Sequence, residues 1–290
     1  MKKFIVLFLV NSLFAKVNIV ASITDLADIA ATIGGKEVKV TAIAKGTQNP
    51  HYVEVLPSYM LKVRRADIYL KVGMELDLWS QQIIDGSRNG RVRIVDCSQN
   101  IKRLEVPTGK VDASQGDIHR LGNPHYWLDP ENGVIIAETI TEALSAVDPK
   151  HQELYQTNLE AFRRELESRL RRWQEEYADL QGKNIIFYHN SWPYFAQRFG
   201  LKTVGFVEDK PGIPPTPAHL NDLMEVIRQQ GVRIVAMEPY FSDRAPEFLR
   251  EKTGIRVVKL AQSVGALPGA DSYLDLFELN LKTLQSIWGE

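Results

Sequence analysis

The 290-residue sequence is poor in cysteine: its single residue, Cys97, excludes an internal disulfide framework and a multi-cysteine zinc site. It also lacks an excess of either charge, because 35 lysines and arginines oppose 36 aspartates and glutamates. A nucleic-acid-binding surface needs a basic excess, so this balance argues against one. With 44% apolar residues and 24% charged residues, the composition is that of a globular protein with a sizeable core.

Short catalytic motifs are missing as well. The sequence contains neither the HExxH zinc motif nor the GxSxG motif of serine hydrolases. The phosphate-binding GxxxxGK[ST] motif and a GxGxxG motif after a strand are also absent. We therefore expect that this protein is not an enzyme.

The N-terminus has the pattern of a secretory signal peptide. Residues 1–3 carry two lysines, residues 4–10 are apolar, and the stretch ends at the small residue Ala15. The apolar stretch is shorter than the roughly 20 residues of a membrane-spanning helix. We expect cleavage after Ala15 and export of residues 16–290 to the periplasm, without a lipid anchor because no cysteine lies near the cleavage point. The alternative is a buried N-terminal strand.

Beyond this segment, short apolar strands alternate with helical patterns, which predicts an α/β fold with mainly parallel sheets. Residues 149–181 contain no glycine or proline after Pro149 and have apolar residues at helical spacing. A helix of this length would span roughly 50 Å. We expect two lobes, at 16–147 and 182–290, each a parallel sheet flanked by helices, joined by one long helix at 148–181.

Three histidines occupy positions suited to a shared ligand. His51 and His189 follow predicted strands in different lobes, and ligands bind at the carboxyl ends of strands in such sheets. His51 and His125 both end the string Asn-Pro-His, in which proline restricts the backbone before the imidazole. The alternative for each is a hydrogen-bonded loop residue. We expect surface positions for the remaining three histidines: His119, His151 and His219.

A carboxylate would complete a four-coordinate shell, and imidazole nitrogens with a carboxylate oxygen suit zinc, with manganese possible. Asp271 is one candidate because it follows a glycine-containing loop at the start of the last predicted helix, although Asp is also common as a plain helix cap. The candidates in this sequence are Glu208, Asp209, Glu238, Asp243, Asp271 and Asp275.

Four segments of the chain resemble, in order, the metal-ligand segments of one family. They are residues 49–58, 124–130, 188–195 and 271–275, which contain NPH, PHYWLDP, YHNSWPYF and DSYLD. Together they are similar to the zinc- and manganese-binding receptors of bacterial ABC importers, the ZnuA and TroA type. The resemblance implies two α/β lobes tied by one long helix. It also implies a metal site whose ligands are His51, His125, His189 and Asp271.

The third ligand position helps to choose the metal. Manganese-preferring members of the family tend to carry a carboxylate there, whereas this chain has His189. Three imidazoles favour zinc, although members with three histidines can bind both metals. Many zinc receptors carry a His-rich loop before the second segment. The corresponding residues 107–122 of this chain contain a single histidine, His119, so this sign of a zinc receptor is missing. Glu54 and Asp129 are candidates to orient the ligating histidines.

The resulting expectation is a monomeric periplasmic receptor that captures Zn²⁺ between its lobes and delivers it to an ABC permease in the inner membrane. Its affinity should fall as histidines protonate near roughly pH 6.5. The alternatives are a manganese or mixed receptor of the same type, a secreted zinc hydrolase and a surface adhesin.

Overall fold

The computed structural model describes residues 16–112 and 115–288. The predicted signal peptide at 1–15 lies outside the described residues. Within the described part of the chain, no helix is long and apolar enough to cross a membrane. Cys97 is buried, as expected of an apolar residue.

The first lobe contains a four-stranded, fully parallel sheet in the order β2-β1-β3-β4. Its strands are rich in β-branched residues, which favour extended backbone. The strands are β1 (Val17–Ala21), β2 (Val38–Ala42), β3 (Ile68–Lys71) and β4 (Arg93–Asp96). The helices of this lobe are α1 (Thr24–Gly34), α2 (Pro57–Val63), α3 (Trp79–Ser87) and α4 (Pro130–Val147).

The long helix α5 spans Gln152–Glu176, which is 25 residues. It is shorter than the predicted 149–181 because a 3-10 turn flanks each end, at Pro149–His151 and Ala178–Leu180. One face of α5 is buried along its length, from Tyr155 to Trp173. It packs against α4 and α1 of the first lobe and α9 at the C-terminus.

The second lobe repeats the connectivity of the first, with a parallel sheet in the order β6-β5-β7-β8. The strands are β5 (Asn184–Phe187), β6 (Lys202–Phe206), β7 (Ile234–Met237) and β8 (Arg256–Lys259). The helices are α6 (Pro193–Phe199), α7 (Pro217–Gln229), α8 (Arg244–Thr253) and α9 (Tyr273–Trp288). The expected fold, two helix-flanked parallel sheets joined by one long helix, is confirmed.

In both sheets the first strand lies inside the sheet, between the second and third strands of the same lobe. At the point where the strand order reverses, the connections that follow two neighbouring strands run in opposite directions. A crevice opens there at the carboxyl ends of the strands. The loop after β2 carries His51, and His189 lies two residues beyond β5. The topology therefore brings predicted ligands from both lobes to their facing edges.

Candidate metal centre

The backbone of His51 is held by a turn that residues 49–51 form. The backbone N–H of His51 donates to Asn49 Oδ1 over 3.0 Å, a hydrogen bond typical of an asparagine two residues before the donor. The Trp79 indole N–H donates to the carbonyl of Pro50 over 2.9 Å. These two hydrogen bonds fix the backbone of the loop that carries the His51 imidazole. The His51 side chain is only 4% exposed.

His125 repeats this arrangement in the second Asn-Pro-His string. Its backbone N–H lies 3.1 Å from Asn123 Oδ1, and its ring Nδ1 lies 3.0 Å from the same oxygen. Because the amide oxygen only accepts, Nδ1 carries the proton and Nε2 keeps its lone pair. The amide of Asn123 also donates to the carbonyl of Asn190, which follows His189, over 2.8 Å. One asparagine thus orients His125 and connects it to the second lobe.

His189 is oriented by a buried carboxylate. Its Nδ1 lies 2.7 Å from Oε2 of Glu208, which follows β6. The same oxygen accepts a hydrogen bond from the backbone N–H of Gly212 over 2.9 Å. Both side chains are about 6% exposed. The carboxylate on Nδ1 leaves Nε2 as the nitrogen available to a metal, the usual arrangement of a metal-binding histidine.

The three imidazoles converge on one point. The Nε2 atoms of His51 and His125 are 3.0 Å apart, and one ligand atom from each of His51, His125 and His189 lies within 4.8 Å of the others. Two nitrogens bound to one tetrahedral zinc are separated by about 3.3 Å, given Zn–N bonds of about 2.0–2.1 Å. The cluster borders a cavity of about 430 Å³. Its geometry can hold a divalent metal ion.

Burial keeps His51 and His125 in the neutral form that binds metal. It lowers the pKa of His51 and holds the pKa of His125 well below its ordinary value, because charged imidazolium is poorly solvated there. The His51 imidazole lowers the pKa of Asp117 to about 2 despite the partial burial of that carboxyl group. At neutral pH His51 and His125 are therefore neutral, and the Asp117 carboxylate beside His51 is ionised.

Asp271 is not part of this cluster. It is exposed and belongs to neither of the groups of possible metal ligands among the described residues. Tyr273, two residues later, is hydrogen-bonded to the first lobe. Its backbone N–H donates to Asp28 Oδ2 over 2.8 Å, and its hydroxyl donates to the carbonyl of Trp127 over 2.7 Å. These contacts fix the start of α9. The exposed Asp271 side chain lies outside the three-histidine group, and its role as a ligand stays a prediction.

The two carboxylates expected to orient the histidines have other surroundings. Glu54 is exposed and has no hydrogen bond or ion pair with any described residue. Asp129 forms a two-pronged ion pair with Arg198 at 2.7 and 2.9 Å, and it caps α4 through the backbone N–H of Glu131. The carboxylates that lie against the histidines are instead Asp117 and Glu208. Of the six carboxylates considered from sequence, only Glu208 touches the cluster among the described residues.

His119 also differs from its expected surface position. It is 9% exposed, and its ring centroid lies 5.2 Å from that of His51. Its loop reaches the second lobe, where the backbone N–H of Asp117 donates to the carbonyl of Pro211 over 2.8 Å. Burial lowers the pKa of His119 to about 4. The other two histidines, His151 and His219, are partly exposed, as expected.

Fold and site together define a two-lobed protein with a nitrogen-rich centre for a metal ion. Residues 19–287 match the family model described as "ZnuA: Zinc-uptake complex component A periplasmic", and the chain belongs to this family. A solved structure described as "Crystal structure of ZnuA" has a TM-score of 0.82 and 25% identity, covering 94% of this chain and 99% of that chain.

Two curated relatives are similar over nearly the whole chain. The manganese-binding lipoprotein MntA of Halalkalibacterium halodurans is 26% identical over 275 residues, which are 93% of this chain and 87% of the relative. The metal ABC transporter substrate-binding lipoprotein ScbA of Streptococcus cristatus is 26% identical over 282 residues, 93% and 88% of the two chains. The chain is therefore a metal-binding receptor of the ABC-importer type and not an enzyme, as the sequence predicted.

Proposed function

We propose that the protein captures Zn²⁺ with high affinity through His51, His125 and His189 and delivers it to an ABC permease in the inner membrane. The observation that carries this proposal is the convergence of three imidazoles from separate segments and both lobes. Two of the imidazoles have a hydrogen-bond partner that fixes their orientation: Glu208 for His189 and the amide oxygen of Asn123 for His125. Asp117 lies 2.9 Å from Nδ1 of the third, His51. Such partners raise the affinity of metal-bound histidines.

Zinc is favoured over manganese by the chemistry of the donors. Three imidazole nitrogens suit a borderline-soft ion, whereas manganese prefers carboxylate, carbonyl and water oxygens. The two nearest carboxylates, Asp117 and Glu208, already lie against imidazole nitrogens. The description of the family names zinc and one relative is named for manganese, so the donor set is the support for zinc. We assign the fourth coordination position to solvent, because Asp271 lies outside the cluster.

Delivery to a permease follows from the family and from the two-lobed architecture. A relative named as the substrate-binding lipoprotein of a metal ABC transporter supports this role. We propose that residues 1–15 direct export and that residues 16–290 act in the periplasm as a monomer. The lobes at 16–147 and 182–290 and the connecting segment 148–181 are the units that would engage the permease and the metal.

Growth under metal limitation tests this function. A bacterial strain lacking the gene should grow poorly in chelator-treated medium and recover with added Zn²⁺ or with a plasmid copy of the wild-type gene. A copy carrying His125→Ala and His189→Ala, exported to the same level, should fail to restore growth. Equal restoration by the double variant would overturn the proposal. A His219→Ala copy is the matched control, since His219 is partly exposed and bonded to the carbonyl of Phe206.

A further inference from the structure

A second group of possible metal ligands adjoins the three histidines described above. It consists of His51, Asp117 and His119, which each offer one ligand atom within 4.8 Å of the others. His51 belongs to both groups. Its Nε2 lies 3.0 Å from His125 Nε2, and its Nδ1 lies 2.9 Å from Asp117 Oδ2. His125 and Asp117 therefore lie against different nitrogens of one imidazole ring.

Two buried nitrogens of the second group lack aligned hydrogen bonds. His51 Nδ1 and His119 Nε2 are both inaccessible to solvent, and neither has a hydrogen-bond partner among the described residues. The contact between His51 Nδ1 and Asp117 is close enough for an ion pair but is not aligned as a hydrogen bond. A buried nitrogen without a partner destabilises the folded state, and such atoms call for an explanation. A bound ion would supply the missing partner for both.

We propose that His51, Asp117 and His119 form an outer metal position, which a divalent transition ion occupies before it passes to the inner position at His51, His125 and His189. This inference rests on the proposed function. Two imidazole nitrogens and one carboxylate oxygen are a donor set that suits Zn²⁺, with a water molecule as the fourth ligand.

Exposure sets the order of the two positions. The Asp117 side chain is 31% exposed, whereas His125 is 1% exposed, so an ion from solvent meets the outer position first. A neutral imidazole has one lone pair to offer, and binding through both nitrogens of His51 would require loss of its last proton. The two positions are therefore filled alternately, and His51 remains close to the ion in both.

The outer position is tested by disabling the inner one. In a His125→Gln/His189→Gln variant, we expect one weak Co²⁺ site per chain, detected by visible absorption. Adding His119→Gln should abolish this absorption, whereas adding His219→Gln should leave it unchanged. Circular dichroism checks the fold of each variant. Absence of Co²⁺ binding in the folded double variant, or equal binding with and without His119, would overturn the outer position.

A kinetic measurement on the otherwise intact protein avoids disruption of the inner cluster. His119→Gln should slow Zn²⁺ association in stopped-flow several-fold, because the outer position then lacks one of its two imidazole donors. His219→Gln should leave the rate unchanged. An unchanged rate in His119→Gln would contradict the outer position as the point of entry. Failure of the wild-type protein to bind Zn²⁺ at all would instead overturn the proposed function, so the two failures are distinguishable.

Discussion

His51 and His125 are 74 positions apart in the chain, yet their Nε2 atoms lie 3.0 Å from each other. Each residue ends an Asn-Pro-His string whose asparagine oxygen accepts the backbone N–H of the histidine. The same type of turn therefore occurs at two places in the chain, and each copy positions one imidazole of the site. Ligands that are held in place before the metal arrives lose little conformational freedom on binding, which favours high affinity.

Loss of an inner histidine should weaken metal binding severely. His125→Ala or His189→Ala should raise the Kd for Zn²⁺ by more than about 100-fold, beyond the 10–100-fold typical of partners that only orient a ligand. Competition against a metal indicator measures the change, with His219→Ala as a control that keeps wild-type affinity. Wild-type affinity in either folded variant would remove that histidine from the site.

Glu208 and Asp271 should respond differently to substitution. Glu208→Gln removes the charge that lies 2.7 Å from His189 Nδ1, and it should weaken Zn²⁺ binding roughly 10–100-fold. Asp271→Asn changes an exposed carboxylate outside the cluster, and the Kd should stay within about threefold of wild type. Isothermal competition titrations of the two variants make the comparison. A larger loss in Asp271→Asn than in Glu208→Gln would restore Asp271 as the fourth ligand.

The pH dependence of binding should reflect the burial of the histidines. Protons compete with metal for imidazole, but the pKa values of His51 and His125 are below the ordinary histidine value of about 6.5. Both rings are therefore already neutral at pH 7, and affinity should change little until the pH falls below about 6.5. Burial thus shifts the loss of affinity to lower pH than the sequence alone indicated. Zinc titrations between pH 5 and 8 would contradict this shift if the affinity were already reduced at pH 6.5.

Asp25 should make the folded protein less stable at high pH. Its side chain is fully buried, and burial raises its pKa to about 7; Oδ1 accepts the N–H of Val264 over 3.1 Å, while Oδ2 has no partner among the described residues. The folded state therefore keeps a proton that the unfolded chain loses near pH 3.9. The stability contributed by this proton is complete below about pH 4 and is lost as the pH rises through 7.

The neutral variant Asp25→Asn should therefore gain stability relative to wild type as the pH rises from 5.5 to 8, by about 1–3 kcal/mol. Urea unfolding of the metal-free proteins at both pH values measures the difference. The exposed Asp222→Asn is the control and should show no such trend. A constant difference between Asp25→Asn and wild type across this range would show that Asp25 does not titrate with folding.

Much of the fold could be predicted from local sequence. The alternation of apolar strands and helical patterns predicted the two parallel sheets. The helical spacing of the apolar residues in α5 predicted which of its faces is buried. The helix α4 was not predicted, although Asp129 caps it and Pro130 begins it. Gly133 inside its pattern weakened the helical signal there, because glycine is a poor helix former. Packing of α4 against α5 overrides that local cost.

The site was predictable where a local turn builds it and not where distant segments meet. The Asn-Pro-His strings mark His51 and His125 directly. The resemblance implies that Asp271 is a ligand, and its position in the fold depends on contacts such as that between Tyr273 and Asp28, which are 245 positions apart. Asp117 and His119 lie in a loop without periodicity, and its docking on Pro211 leaves no local signal.

Titration of the metal-free protein, residues 16–290, with Zn²⁺ and with Mn²⁺ against a competing indicator tests the proposed function most directly. Three imidazoles should give one tight Zn²⁺ site per chain and Mn²⁺ binding weaker by at least about 100-fold. Comparable affinity for both ions would contradict the assignment of zinc. Absence of a tight site for either ion would contradict the metal centre itself.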